Sequence, residues 1–96
     1  MKPSDALALH RAELRALVGR CGLMRPRVFG SAVTGEDTED SDLDLLVDPL
    51  DGTSLFTLAR LKIGAEALLG VPVDVLTPGG LPERFRNEVL RLAEPL

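Results

Sequence analysis

The chain has 96 residues, 45% of them hydrophobic and 27% charged, which is the balance of a globular domain. Its net charge is −4, and its three Phe, without Tyr or Trp, provide no aromatic platform among the scattered basic residues. This argues against stable, unaided nucleic-acid binding. Apolar runs of only a few residues predict no membrane-spanning segment. We therefore expect a single domain over residues 1–96, located in the cytoplasm.

Cys21 is the only cysteine and His10 the only histidine. A single cysteine forms no disulfide within the chain, which agrees with a reducing compartment. His10 lies on the first predicted helix and Cys21 at its end, about three turns or ~16 Å away, so the histidine does not reach the thiol. This spacing argues against cysteine catalysis, and a Ser-His-Asp triad would depend on the same histidine.

The secondary structure is predicted from hydrophobic spacing and from glycine, proline and capping residues. Thr53 or Ser54 can cap the second helix, and the last helix is expected to direct Phe85, Val89 and Leu92 inward. In its first half, the chain is predicted to form a helix at residues 4–20, a break at 25–27, a very short strand at 27–29, a polar connection at 30–41 and a strand at 43–47. A turn at 49–52 follows, then the helix that begins at its cap, residue 53 or 54, and ends at about 69. A strand at 72–76 and a helix at 82–92 complete the prediction. This order predicts an α/β fold with a small mixed β-sheet and flanking helices.

Asp42 and Asp44 place two carboxylates at the start of the second predicted strand. Side chains alternate along a strand, so both carboxylates leave on one face and Leu43 on the other. Like charges held side by side repel, and a hard divalent cation with oxygen ligands compensates that repulsion. A solvated acidic strand edge would show the same pattern, and the pair alone favours that interpretation.

Asp74 lies in a predicted strand whose other residues are almost all apolar. An aspartate in such a strand costs several kcal/mol, at roughly the level of an unpaired buried polar group, unless it is paired or binds a metal. If this strand neighbours the second strand, Asp74 completes a cluster of three carboxylates. A surface-facing residue on an edge strand is the alternative.

Gly30 and Ser31 directly follow the first predicted strand. Glycine lets the backbone approach a phosphate closely, and Ser31 supplies a hydroxyl and the first amides of a following turn. An ordinary strand-to-turn glycine with a capping serine is the alternative, and it is the simpler interpretation of these two residues alone.

Two other phosphate or cation motifs are excluded. Gly30 and Gly35 have Walker A spacing, but Glu36 stands where the lysine that meets the phosphates is required. Residues 40–44 begin like a calcium-binding EF-hand loop, but Leu45 stands where the glycine of the sharp turn is required.

Taken together, the motifs match a known pattern: a hydrophobic residue before Gly-Ser, a glycine a few residues on, a strand with Asp-x-Asp, and a third acid on a later strand. In this chain they read Val28-Phe29-Gly30-Ser31, Gly35, Ser41-Asp42-Leu43-Asp44-Leu45-Leu46-Val47 and Val73-Asp74-Val75-Leu76. Over nearly its whole length, the chain resembles the minimal nucleotidyltransferases of the DNA polymerase beta superfamily. Many relatives carry Arg before the second glycine, where this chain has Thr34.

The resemblance implies the nucleotidyltransferase fold, ATP as the substrate and two Mg²⁺ ions. Gly30 and Ser31 would hold the triphosphate. Asp42 and Asp44 would bind the two ions, and Asp74 would ligate the second ion and help deprotonate the acceptor hydroxyl. AMP would be transferred by in-line attack at the α-phosphate, and pyrophosphate would leave.

The resemblance also implies a protein partner, since 96 residues leave no room for the domain with which larger relatives grip their acceptors. Minimal nucleotidyltransferases are often paired with a small helical HEPN-type ribonuclease toxin. The chain would then be an antitoxin that transfers AMP to a hydroxyl of the toxin. A non-catalytic module that inhibits by occlusion is the alternative, although it would not need the three aspartates. A transferase for small molecules would need a substrate pocket, for which the sequence offers no evident residues.

Overall fold

The computed structural model describes residues 1–96. The elements are α1 (Pro3–Arg20), β1 (Met24–Phe29), α2 (Ser31–Thr34), β2 (Leu43–Asp48), α3 (Leu55–Leu69), β3 (Val73–Leu76), a 3-10 helix (Pro78–Gly80), α4 (Glu83–Leu92) and β4 (Glu94–Pro95). The four strands form one sheet with order β3-β2-β1-β4. Strands β2 and β3 run parallel, whereas β1 is antiparallel to both β2 and β4. This confirms the predicted small mixed sheet with flanking helices.

Strand β2 runs through the centre of the hydrophobic core. Leu43, Leu45 and Val47 alternate along one face of this strand and are fully buried, as the two-residue period of strand side chains requires. Helices α1 and α3 pack against each other and contact β2 and β3, and they contribute Leu14 and Leu61 to the same cluster. The opposite face of the sheet therefore carries the acidic side chains of β2.

Strand β1 is longer than predicted. The break expected at residues 25–27 is an irregularity within the strand, because Arg25 has a φ of 48° and the pairing with β2 shifts between Met24 and Arg27. Such a bulge accommodates Pro26, which has no N–H for a regular ladder. Strand β4 was not predicted, since two residues are too short to show a strand pattern, but it pairs with the outer side of β1.

Helices α2 and α3 refine the predicted elements. The connection expected over residues 30–41 contains the one-turn helix α2. Ser54 is the cap of α3: its hydroxyl accepts from the Thr57 N–H, and the Thr57 hydroxyl accepts from the Ser54 N–H. None of the helices combines the length and apolar character needed to cross a lipid bilayer.

Helix α4 corrects one prediction about the core. Phe85, Val89 and Leu92 do not enter it, because no residue of α4 is buried and the Phe85 and Leu92 side chains remain 46% and 49% exposed. The three side chains instead line an open groove between α4 and the sheet. The apolar side chains of α4 therefore share one face of the helix, as predicted, but this face borders an open groove and not the core.

The outer edge of β3 is covered by two side chains of α3. Glu66 accepts a hydrogen bond from the Val73 N–H at 3.0 Å, and Lys62 donates to the Val73 carbonyl. Lys62 and Glu66 also form an ion pair at 3.4 Å. The hydrogen bond from Val73, and then the lysine charge, lower the pKa of Glu66. One turn of α3 thus satisfies both backbone groups of the first residue of β3.

Asp37 connects the segment between α2 and β2 to the start of α1. Its carboxylate accepts a hydrogen bond from the Ser4 N–H at 2.8 Å, and at 6% exposure it is the one buried charged residue. The first N–H groups of a helix have no partner within the helix and favour a negative charge. The hydrogen bond from Ser4 accordingly lowers the pKa of Asp37.

Replacing Asp37 by Asn should lower the free energy of unfolding at neutral pH, because an amide carries no charge to interact with the helix N-terminus. The pKa of Asp37 is lowered from 3.8, so this stabilisation is present above pH 3.8 and is lost as the pH falls through the lowered pKa. Urea unfolding of both proteins over a pH series measures the difference. Asp40→Asn, at an exposed aspartate of the same segment, is the control. An equal loss of stability in both variants would contradict the assigned role.

Candidate active site

The strand register brings two of the three predicted carboxylates together. Asp44 pairs directly with Asp74 on the parallel neighbour β3 and with Phe29 on the antiparallel neighbour β1. Paired residues of adjacent strands project on the same face, so all three side chains lie on the face opposite the core. Asp42 directly precedes β2, and its side chain is exposed. Asp74 is also exposed, whereas Asp44 is half-buried.

The three aspartates interact through their charges. The pKa of Asp44 is raised, first by its burial, then by the negative charge of Asp74 and then by that of Asp42. None of the three takes part in a salt bridge. Asp48, two further positions along the same face of β2, differs because Arg25 and Arg27 pair with it at 2.5 and 2.6 Å. The strand therefore has one neutralised acid and an uncompensated acidic cluster.

Gly30 forms the wall of this cluster. Its φ of 76° is a conformation that side-chain-bearing residues rarely adopt, and a Cβ at this position would overlap the Asp44 Oδ2 atom. The Gly30 carbonyl accepts hydrogen bonds from the N–H groups of Val33 and Thr34 at 3.0 and 3.2 Å. Glycine is thus required at this turn for two independent reasons. Ser31 follows it as the first residue of α2.

The residues present fit a hard divalent cation. All the available donors are carboxylate oxygens, the ligands that Mg²⁺ prefers, and they carry charge that no protein group compensates. No three such side chains already stand in metal-ligating positions. The register fixes the backbones of Asp44 and Asp74 side by side, but mutual repulsion favours side chains that turn apart. A cation would remove that repulsion.

An apolar groove beside the carboxylates was not expected from the sequence. This groove, of about 540 Å³, is called the α4 groove here and is lined chiefly by Phe29, Val33, Leu76, Leu81, Phe85 and Val89. Gly30 also borders it. The spacing of Phe85, Val89 and Leu92 along α4 is the sequence signal for the apolar side of this groove. The same spacing also fits a helix face that packs into the core, which is what the sequence predicts. The expectation that the chain offers no pocket for a small acceptor molecule stays a prediction.

The site agrees with comparisons to known proteins. A family model described as a nucleotidyltransferase domain matches residues 10–93. The chain is 42% identical over 85 residues to the protein adenylyltransferase MntA of Thermococcus cleftensis, an alignment that covers 88% of this chain and 83% of the relative. The chain therefore belongs to the nucleotidyltransferase domain family.

Solved structures give the same result for the fold. One, provisionally described as a minimal nucleotidyltransferase, matches with a TM-score of 0.87 and 48% identity, and covers 97% of this chain and 95% of that chain. A toxin–antitoxin structure with AMP-PNP matches with a TM-score of 0.75 at 19% identity, and covers 88% and 69% of the two chains. The resemblance to minimal nucleotidyltransferases and the nucleotidyltransferase fold are both confirmed.

Gly30→Ala should abolish binding of ATP with Mg²⁺, because the added methyl group displaces the Asp44 carboxylate. Gly35→Ala is the matched control: its φ of 81° is also positive, but nothing lies within 4 Å of the added atom. Backbone strain should cost the control about 1–2 kcal/mol of stability. Calorimetric titration of both folded variants measures nucleotide binding. A similar loss of binding in both would mean that strain alone, and not the contact with Asp44, is responsible.

Asp44→Asn should raise the free energy of unfolding at neutral pH. The pKa of Asp44 is raised above 3.8 in the fold, so the charged form is disfavoured there. The protonated Asp44 carboxyl makes its full contribution to the free energy of unfolding below pH 3.8. This contribution is lost as the pH rises through the raised pKa. The variant's advantage should therefore appear above that pKa and vanish at lower pH, as measured by urea unfolding. Asp48→Asn should instead destabilise, because Arg25 and Arg27 lose their partner. An unfolded Asp44→Asn protein would indicate a structural aspartate.

Proposed function

We propose that this nucleotidyltransferase is a Mg²⁺-dependent protein adenylyltransferase. It transfers AMP from ATP to a hydroxyl of a small helical HEPN-type toxin and acts as the antitoxin of that partner in the cytoplasm. In this proposal residues 1–96 form one catalytic domain. The observation that carries the proposal is the in-register pair of Asp44 and Asp74, against which the backbone of Gly30 is packed.

The roles of the residues are assigned from the resemblance to minimal nucleotidyltransferases, and their positions support the assignment. Gly30 and Ser31 hold the triphosphate at the turn that borders Asp44. Asp42, Asp44 and Asp74 are the ligands for two Mg²⁺ ions. When bound, such ions lower the pKa of an attacking hydroxyl and neutralise charge on the transferred group.

Asp74 is suited to the acceptor side of the reaction. It is exposed on the edge strand β3, where a hydroxyl of a second protein can approach, and its carboxylate is able to take up the hydroxyl proton. The oxygen then attacks the α-phosphate in line, the bond to the β-phosphate breaks, and pyrophosphate leaves. Asp44, half-buried beside it on β2, is assigned to the nucleotide side.

The choice of ATP and of a toxin partner is supported by relatives. The relative from Thermococcus cleftensis is named a protein adenylyltransferase, and a protein of the same fold was solved as a toxin–antitoxin complex with AMP-PNP, an ATP analogue. The three uncompensated carboxylates favour catalysis over inhibition by occlusion alone. Unpaired like charges cost stability, and a surface that only covers a partner gains nothing from them.

Asp74→Asn should reduce AMP transfer about a hundred- to ten-thousand-fold, the usual effect of losing a general base, while ATP binding is reduced much less. Asp42 and Asp44 would still be available to hold Mg²⁺ with the nucleotide. The measurement is intact-mass spectrometry of the proposed helical partner, after co-expression with each variant. Wild type should add the mass of one adenylyl group per event. Asp51→Asn, at an exposed aspartate in the turn after β2, should transfer like wild type.

Two outcomes would contradict these proposals. If wild type and Asp74→Asn both neutralise the partner and leave its mass unchanged, the chain inhibits by occlusion and the transferase proposal fails. If Asp74→Asn transfers AMP at the wild-type rate, the reaction occurs without this carboxylate and its role is wrong.

A further inference from the structure

The α4 groove lies on the same face of the sheet as the carboxylates. Phe29, in its floor, is the direct pairing partner of Asp44. Leu76 follows Asp74 by two residues on β3 and therefore projects on the same face. Gly30 belongs to both the groove and the carboxylate site. The groove is thus a direct continuation of the site where the phosphates are proposed to bind.

The lining of the groove is almost entirely apolar. The polar side chains of the lining are poorly placed to form hydrogen bonds with a ligand in the groove. The Thr34 hydroxyl donates to the Ser31 carbonyl within α2, and the Glu88 side chain is 66% exposed at the rim, beside Arg91. Phe29 and Phe85 offer aromatic surface. The guanidinium of Arg84 lies 4.7 Å from the centroid of the Phe85 ring, a contact that favours a fixed ring orientation.

Flat aromatic ligands suit such a surface. Stacking of a nucleobase on aromatic side chains stabilises binding and tolerates any base, because every base has a π-face. Hydrogen-bonding residues, which would distinguish one base from another, are nearly absent from the lining. A volume of about 540 Å³ lies within the usual size of small-molecule sites.

We propose that the α4 groove binds the base of the nucleoside triphosphate and selects purines over pyrimidines by ring area, with little distinction between adenine and guanine. This inference rests on the proposed function, which puts the phosphates at Gly30. A base attached to those phosphates lies a short distance away, and the apolar surface that borders the same glycine is the α4 groove. Phe85 is the residue that contributes most directly, because its ring is half-exposed toward the groove.

The test compares nucleotides with a ligand that has no base. ATP, GTP, UTP and inorganic triphosphate, each with Mg²⁺, are titrated calorimetrically into wild type and variants. Wild type should bind ATP and GTP with similar affinity and UTP several-fold more weakly. Phe85→Ala should weaken ATP binding about tenfold or more, the usual effect of removing a stacking side chain. Binding of inorganic triphosphate should not change.

Two further variants make the result specific. Phe56→Ala removes an aromatic ring that is 84% exposed on α3, outside the groove, and should change neither affinity. Val89→Trp fills the groove instead of emptying it and should also weaken ATP but not inorganic triphosphate. Thermal unfolding of each variant verifies that it is folded. Because Phe85→Ala and Val89→Trp change the groove volume in opposite directions, the same result in both would not depend on the misfolding of one variant.

Each other outcome overturns the inference. ATP affinity unchanged in Phe85→Ala and Val89→Trp would show that the base lies elsewhere, while the proposed AMP transfer would stand. Equal losses of ATP and inorganic triphosphate would locate the effect at the phosphates. Loss of binding to the partner protein with intact ATP binding would assign the groove to docking. A wild-type protein that binds no ATP with Mg²⁺ would instead reject the proposed function, and this inference with it.

Discussion

The close approach of the Gly30 backbone to the Asp44 carboxylate is the constraint on which the site depends. It requires a residue without a side chain at a positive φ, and it holds the turn between β1 and α2 against the centre of β2. The turn that carries Gly30, the carboxylates and the apolar groove therefore meet at one point. Any larger residue would separate these parts, which are otherwise built from different strands and helices.

The site is maintained against its own repulsion by the other face of the sheet. Beneath Asp44, the neighbouring residues Leu43 and Leu45 are fully buried in the core formed with α1 and α3. Burial of such side chains contributes about 1.5–3 kcal/mol each, which offsets the cost of an uncompensated acid. Asp48 shows that the fold can neutralise an acid on this strand, because two arginines of β1 pair with it. The acidic cluster is thus a local loss of stability, which burial on the other face offsets.

Local patterns predicted most elements and indicated the residues of the candidate site, but the arrangement of the strands required the structure. The placement of Asp74 beside Asp44 depends on the order of the strands, which is set by contacts between distant parts of the chain. The spacing of Phe85 and Val89 is the same for a helix that enters a core and for one that borders a groove, so the sequence could not distinguish them. Pro26 predicts a break when the sequence is considered alone. Whether the strand continues past it as a bulge depends on pairing with β2, which the local sequence does not show.

The two edges of the sheet have a consequence for assembly. An exposed edge strand invites another chain to add to it, which is a common route to aggregation. On one side, Lys62 and Glu66 occupy the outward backbone groups of Val73, so an added strand would have to displace two charged side chains. On the other side, β4 is only two residues long and ends at Pro95, which has no N–H to offer. The sheet is therefore poorly suited to growth in either direction.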